Sequence, residues 1–209
     1  MEMRLVPGGK VVRAEGIPVP PGFPEQGFTV PAHTKASVLV DNATLSTGYP
    51  ALTVSGGPSS FLRLTYAEAL YDDDDQKGNR NEVVSRHIEG PSDEFVFGDS
   101  ATREFMPLIW RTWRYLQIDV EAADAPVHVE GLKTWFSAYP FVEHATFSSE
   151  DESLRSIWNV GWRTARLDAH DTYMGTKRAR RLQAPGRRFR RSRVRLRLAA
   201  CNQQVRSHF

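Results

Sequence analysis

Several groupings in this 209-residue sequence carry side chains that could do chemistry. The run Asp72-Asp73-Asp74-Asp75, followed by Gly78, Asn79 and Asn81, offers enough oxygens to suggest a calcium loop. Calcium loops place their oxygens at alternating positions with a glycine at a fixed offset, and this run lacks that spacing. A solvated acidic loop is the preferred reading. The segment Trp110-Arg111-Thr112-Trp113-Arg114-Tyr115 alternates rings with cations. It could form an aromatic platform for a sugar ring, but the same alternation suits a strand that buries its rings and exposes its charges, and the strand reading is preferred. The six histidines show no HxxxH or HxH spacing, and Cys201 is the single cysteine. An intrachain disulfide and a cysteine-based zinc site are therefore excluded, and no metal or other cofactor is expected.

Charge supplies the next grouping. From Gly175 to Phe209 there are eleven Arg and one Lys with no Asp or Glu, a segment charge of +12. The whole chain carries +2, so the other 174 residues carry −10. Twelve uncompensated cations are the electrostatic footprint of polyanion binding. The aromatic interleaving of a single-strand binder is missing, since Phe189 and Phe209 are the tail's only rings. No specific nucleic-acid partner is expected. With few apolar residues to offset chain entropy, the tail is expected to be disordered.

The elements that must position these residues are mostly strands. The 40% hydrophobic and 11% aromatic content is that of a globular chain. Residues 1–26, with Pro7, Pro18, Pro20, Pro21 and Pro24 and four glycines, read as an extended leader. Short β-type runs bounded by turn residues then follow: 28–30, 35–40, 51–55 and 61–66. In the last of these Leu62, Leu64 and Tyr66 share one face, and Phe61, Arg63 and Thr65 share the other. Weaker runs at 83–88, 94–97 and 103–105 precede stronger ones at 110–120, where Leu116, Ile118 and Val120 share a face, and at 127–138. This pattern predicts a mainly β fold, a jelly-roll-like β-sandwich, over 27–147.

The period then switches. Ser149 with Glu152 is a capping-box signature, and Leu154, Ile157, Trp158, Ala165 and Ala169 recur at helical spacing, predicting a helix over 150–172. Its stripe of Leu154, Ile157 and Trp158 would stay exposed unless it folds back onto the sandwich, and self-association through that face is expected. No stretch reaches the length of a membrane span, so no membrane partner is expected. The first residues contain no apolar run of signal-peptide length, which favours the cytoplasm while leaving the compartment open.

Ordered strings along the chain resemble one family. They are Ser46-Thr47-Gly48-Tyr49-Pro50 with Thr53-Val54-Ser55-Gly56-Gly57, Leu64 to Tyr71, Lys77-Gly78-Asn79-Arg80-Asn81, Arg103 to Leu108, Trp110 to Tyr115, Ala138-Tyr139-Pro140-Phe141, Ile157 to Trp162, and His170-Asp171-Thr172-Tyr173-Met174. Together they span about seven-tenths of the chain and are similar to the bacterial α-L-rhamnosidases of glycoside hydrolase family 78.

The resemblance implies a β-sandwich accessory domain, then over 148–174 the first helix of a truncated (α/α)6 catalytic barrel, with 175–209 as the basic tail. It implies a family that removes terminal rhamnose with inversion, and rhamnose-containing glycosides as the family's ligands. Inversion needs a carboxylic acid to protonate the leaving oxygen and a carboxylate to activate water. In the family an Asp-x-Pro-x-x-Glu tract, with a further Asp seven residues past the Glu, follows this helix, and the Glu is taken as the acid. Aligned on Met174, the three acidic positions fall on Gly175, Arg180 and Arg187, while Leu182, Gln183 and Gly186 still agree. Arginine stays protonated and cannot exchange a proton in place of a carboxylic acid. No catalytic residue is therefore assigned, and the chain is expected to be inactive, with the family's base expected beyond Phe209. His170 and Asp171 fall where the family's first barrel helix ends, near the sugar pocket, and are expected as exposed remnants of a substrate-contact region. The tail has the composition of a GC-rich gene read out of frame; a genuine basic tail is the alternative. A non-catalytic carbohydrate-binding module and a polyanion binder stand as the other readings of the whole chain.

Overall fold

A computed structural model describes residues 1–173; Met174 and the basic tail, including Arg180 and Arg187, lie outside the described residues. Nine strands and one helix occur among them: β1 (Glu2–Val6), β2 (Lys10–Glu15), β3 (Phe28–Val30), β4 (Lys35–Gly56), β5 (Phe61–Ala67), β6 (Ser92–Val96), β7 (Arg103–Phe105), β8 (Arg111–Glu121), β9 (Val127–Ala138) and α1 (Glu152–Asp168). Every strand pairing is antiparallel. The main path of the sheet runs β1-β9-β4-β8-β5-β6, with β2 and β7 added on β4 and β3 on β9.

The long strand β4 makes this one curled sheet. Its first half, from Lys35 to Asp41, lies between β2 and β8, and its second half, from Gly48 to Gly56, pairs with β9 and β7. The two halves thus belong to opposite layers, and the core fills the space between them. Val38, Val40, Leu62, Leu64 and Ile118 from one layer cluster with Val30, Leu52, Val54, Val127 and Val129 from the other. The expected alternation holds in the first part of β5, where Leu62 and Leu64 are buried and Arg63 is exposed, whereas Thr65 is buried along with Tyr66. The mainly β, sandwich-like architecture is therefore as expected.

Gly48 sits where β4 is held by both neighbours, opposite Arg111 of β8 and Phe136 of β9. Its φ is +140°, and a Cβ there would stand 1.9 Å from the Trp135 carbonyl oxygen. The backbones meet too closely at this crossing for any side chain.

The structure differs from expectation in several elements. Residues 1–26 are not a free leader: β1 pairs with β9 from Glu2↔Ala138 to Val6↔Thr134, β2 pairs with β4, and Phe23 is buried in the core. The prolines lie between and after these strands, so they never interrupt a ladder. The runs 35–40 and 51–55 are one strand, bent by a register shift between Asp41 and Ser46. Residues 83–88 form turns, with only a bridge from His87 to Tyr71. The helix is shorter than 150–172. Its N-cap is Asp151, whose carboxylate accepts from Ser153 N at 2.8 Å, while Ser149 accepts from Asp151 N one step earlier.

Only the C-terminal part of α1 docks. Leu167 packs with Phe136, Ala138, Val6 and Leu45, whereas Leu154, Ile157, Trp158 and Val160 are exposed, Ile157 at 66%. The exposed stripe is thus as expected, and Trp158 stacks on Phe147 instead of entering a core. Among the described residues no helix is long and apolar enough to cross a membrane.

Candidate functional site

The turn after α1 holds both expected contact residues. Ala169 O accepts from Tyr139 N at 2.9 Å, which ties the helix end to the segment leaving β9. Ala169 also bridges Tyr173, and His170 N donates to Thr172 O at 3.0 Å, closing a tight turn. The turn presents the His170 ring to Trp110, with ring centroids 5.0 Å apart and planes at 48°. Trp110 is fixed in turn by its Nε1, which donates to Ser137 O at 3.0 Å. His170 Nδ1 lies 3.2 Å from the Asp171 carboxylate. That hydrogen bond, first among the causes, holds the Asp171 carboxyl below the usual carboxylate range. Asp171 is exposed as expected, but His170 is half-buried, because its ring packs against Trp110. An indole face beside hydrogen-bonding groups can hold a sugar ring. Trp110 is the partner that the sequence reading did not assign to this site; its place just ahead of β8 gave no sign that the helix end would return to it.

The rest of the Trp110–Tyr115 segment is structural, but its charges are not exposed as expected: Arg111 and Arg114 are largely covered because each is held by a carboxylate. Trp113 is fully buried, edge-on to Tyr66 at 5.7 Å. Tyr115 is also buried, and its hydroxyl donates to Arg80 O at 2.6 Å. The two arginines between the rings form ion pairs. Arg111 pairs with Asp93 through both nitrogens of its fork, and Arg114 donates to Asp41 at 2.8 and 3.0 Å and to Asn81 at 2.8 Å. Burial foremost, and then the Asp93 charge, pushes the Tyr66 phenol far above its ordinary range, so it stays protonated.

The acidic loop is held from within. Asp72 accepts from Gln76 N at 2.8 Å and Asp74 N at 3.2 Å, and pairs with Arg86 at 2.9 Å. The Gln76 amide is the largest of these influences in holding the Asp72 carboxyl below its usual range. Arg86 pairs with Glu82 as well. Asp73, Asp74 and Asp75 are exposed, in line with a solvated loop. Among the described residues, Asp75, His87 and Glu89 bring ligand-type atoms within 4.8 Å of one another, all three exposed; exposed acidic groups meet in this way without an ion.

No family model matches this chain, and no curated protein matches it. Solved structures do. A family 78 rhamnosidase of Bacillus sp. GL1 superposes with a TM-score of 0.54 over 75% of this chain at 19% identity. A rhamnosidase from Klebsiella oxytoca with rhamnose bound gives a TM-score of 0.60 over 82% at 17% identity. The chain is rhamnosidase-like in fold. It spans only 15% of the first rhamnosidase and 36% of the second.

Proposed function

We propose that this chain is a rhamnosidase-derived β-domain that keeps the first helix of the catalytic barrel and has lost the carboxylates that would make it hydrolytic. The observation that carries the reading is the rhamnosidase-like fold joined to a sequence with Arg180 and Arg187 at positions where the family has Glu and Asp. A guanidinium can neither donate the leaving-group proton nor activate water. His170 and Asp171, set against Trp110, are what remains of a sugar-contact corner, with glycosides as the ligand class. An aryl rhamnoside assay tests the reading: no aryl alcohol should be released above that from a matched mock purification.

The same reading carries a consequence for association. In the proposed parent, the exposed stripe of Leu154, Ile157 and Trp158 would belong to a barrel. Here the stripe is open to solvent, and an exposed apolar stripe of this kind favours association between copies of the chain.

A further inference from the structure

A cavity of about 440 Å³ lies between the C-terminal half of α1, the bend of β4 and the strand pair β1–β9. Its lining includes Arg4, Arg163 and Arg166 and no Asp or Glu. In a body of net charge −10, three guanidiniums around one acid-free cavity mark a place that favours anions. Arg4 and Arg166 both lie over the Phe136 ring, at 4.9 and 5.7 Å from its centroid. Glu2, outside the lining, reaches Arg4 at 3.3 Å and also pairs with Arg166, so a carboxylate already bridges two of the three cations from behind. One negative charge against three leaves the cavity cationic. Arg163 spends one N–H on Leu45 O, at 2.6 Å, and Arg166 Nε is buried with no hydrogen-bond partner among the described residues. Trp162 adds a half-buried indole, and Thr44 and Ser46 add hydroxyls at the bend of β4.

We propose that this cavity binds an acidic monosaccharide of the hexuronate kind. The volume falls within the range of small-molecule sites, about 300–1,000 Å³, and exceeds what an inorganic anion needs. The ring carboxylate meets the guanidiniums, whose planar forks match a carboxylate. The apolar face of the sugar rests on Trp162, and its hydroxyls meet Thr44 and Ser46. The site is separate from the His170–Trp110 corner and stands whether or not the chain descends from a rhamnosidase.

Calorimetric titration of the full chain with galacturonate and with glucuronate tests the proposal, with galactose and sodium sulfate run alongside. The expected result is saturable uronate binding with Kd on the order of 1 mM, weakened about tenfold or more by Arg4→Gln and by Trp162→Ala. Arg4 is mostly exposed, so Arg4→Gln should retain the wild-type circular dichroism spectrum. That variant also leaves every arginine of the basic tail in place. Absence of uronate heat, equal binding of galactose or sulfate, or undiminished binding by the folded Arg4→Gln variant would each overturn the proposal.

Discussion

Two arginine–carboxylate pairs, through Arg111 and Arg114, flank Trp113 on β8, and the Asp41–Arg114 pair bears the greater structural demand. Both side chains are largely buried, at 16% and 12% exposure, and Asp41 also accepts from Ala43 N at 2.7 Å within the bend of β4. Removing one partner strands a desolvated charge, so Asp41→Ala should cost about 3 kcal/mol in urea unfolding. Replacing both partners should cost less than the sum of the single changes, and an additive double mutant would show that the two do not act as a pair. Asp72 gives a pH-dependent counterpart. Its carboxyl is depressed in the folded loop, so its contribution is present above its ordinary value, about pH 4, and is lost as pH falls through the lower folded value. The protection factor of the Gln76 amide, its exchange rate referred to the intrinsic rate at each pH, should therefore fall on acidification below about pH 4, and Asp72→Asn should remove that step. An acid-insensitive Gln76 amide would contradict the assignment. At this scale the sequence was readable where the period was clean: Leu62, Leu64 and Tyr66 are buried as their alternation requires. It was unreadable where the register slips. Trp113 and Leu116 join the main cluster while Tyr115 joins another, because the ladder shifts between Asp41 and Ser46, opposite Tyr115 and Trp113. A strict alternation cannot reveal a shift that arises on the neighbouring strand.

Among the elements, β4 decides the architecture, and Gly48 is its tightest point. Gly48→Ala should destabilise the fold by at least about 2 kcal/mol, since it combines a disfavoured φ with a backbone clash, and chemical denaturation would measure it. A neutral substitution would mean that the crossing is looser than drawn. The sequence reading divided β4 into the runs 35–40 and 51–55 and assigned no strand to the residues between them. Residues 41–46 do bend the chain, but the β8 ladder resumes beyond the bend at Ser46, and the β9 ladder begins at Gly48. β1 and β2 escaped notice for a different reason: their side chains are mostly exposed, and backbone pairing with a few partly buried contacts, Val6 beside Leu167 and Val11 against the main core, places them. The helix was readable from its stripe, although the stripe omitted Leu167, the residue that anchors it. The His170–Trp110 contact and the arginine cavity were out of reach of sequence spacing, since the first joins the end of α1 to a residue sixty positions earlier and the second joins α1 to β1 and β4, more than a hundred positions earlier, as well as to β9.

For the whole molecule, the exposed face of α1 should govern behaviour in solution. Light scattering is expected to find oligomers, and the double substitution Ile157→Glu with Trp158→Glu should shift the population to monomer without altering the β-sheet spectrum. A wild-type chain that is monomeric at high concentration would contradict this. On the proposed function a rhamnosidase-like fold persists here without rhamnosidase chemistry, and hydrolysis of an aryl α-L-rhamnoside by the purified full chain tests this. The expected rate equals that of a mock purification at every pH tried. Turnover that copurifies with the chain and exceeds the mock would contradict the account, and would mean that carboxylates other than those lost at Arg180 and Arg187 supply the acid and the base.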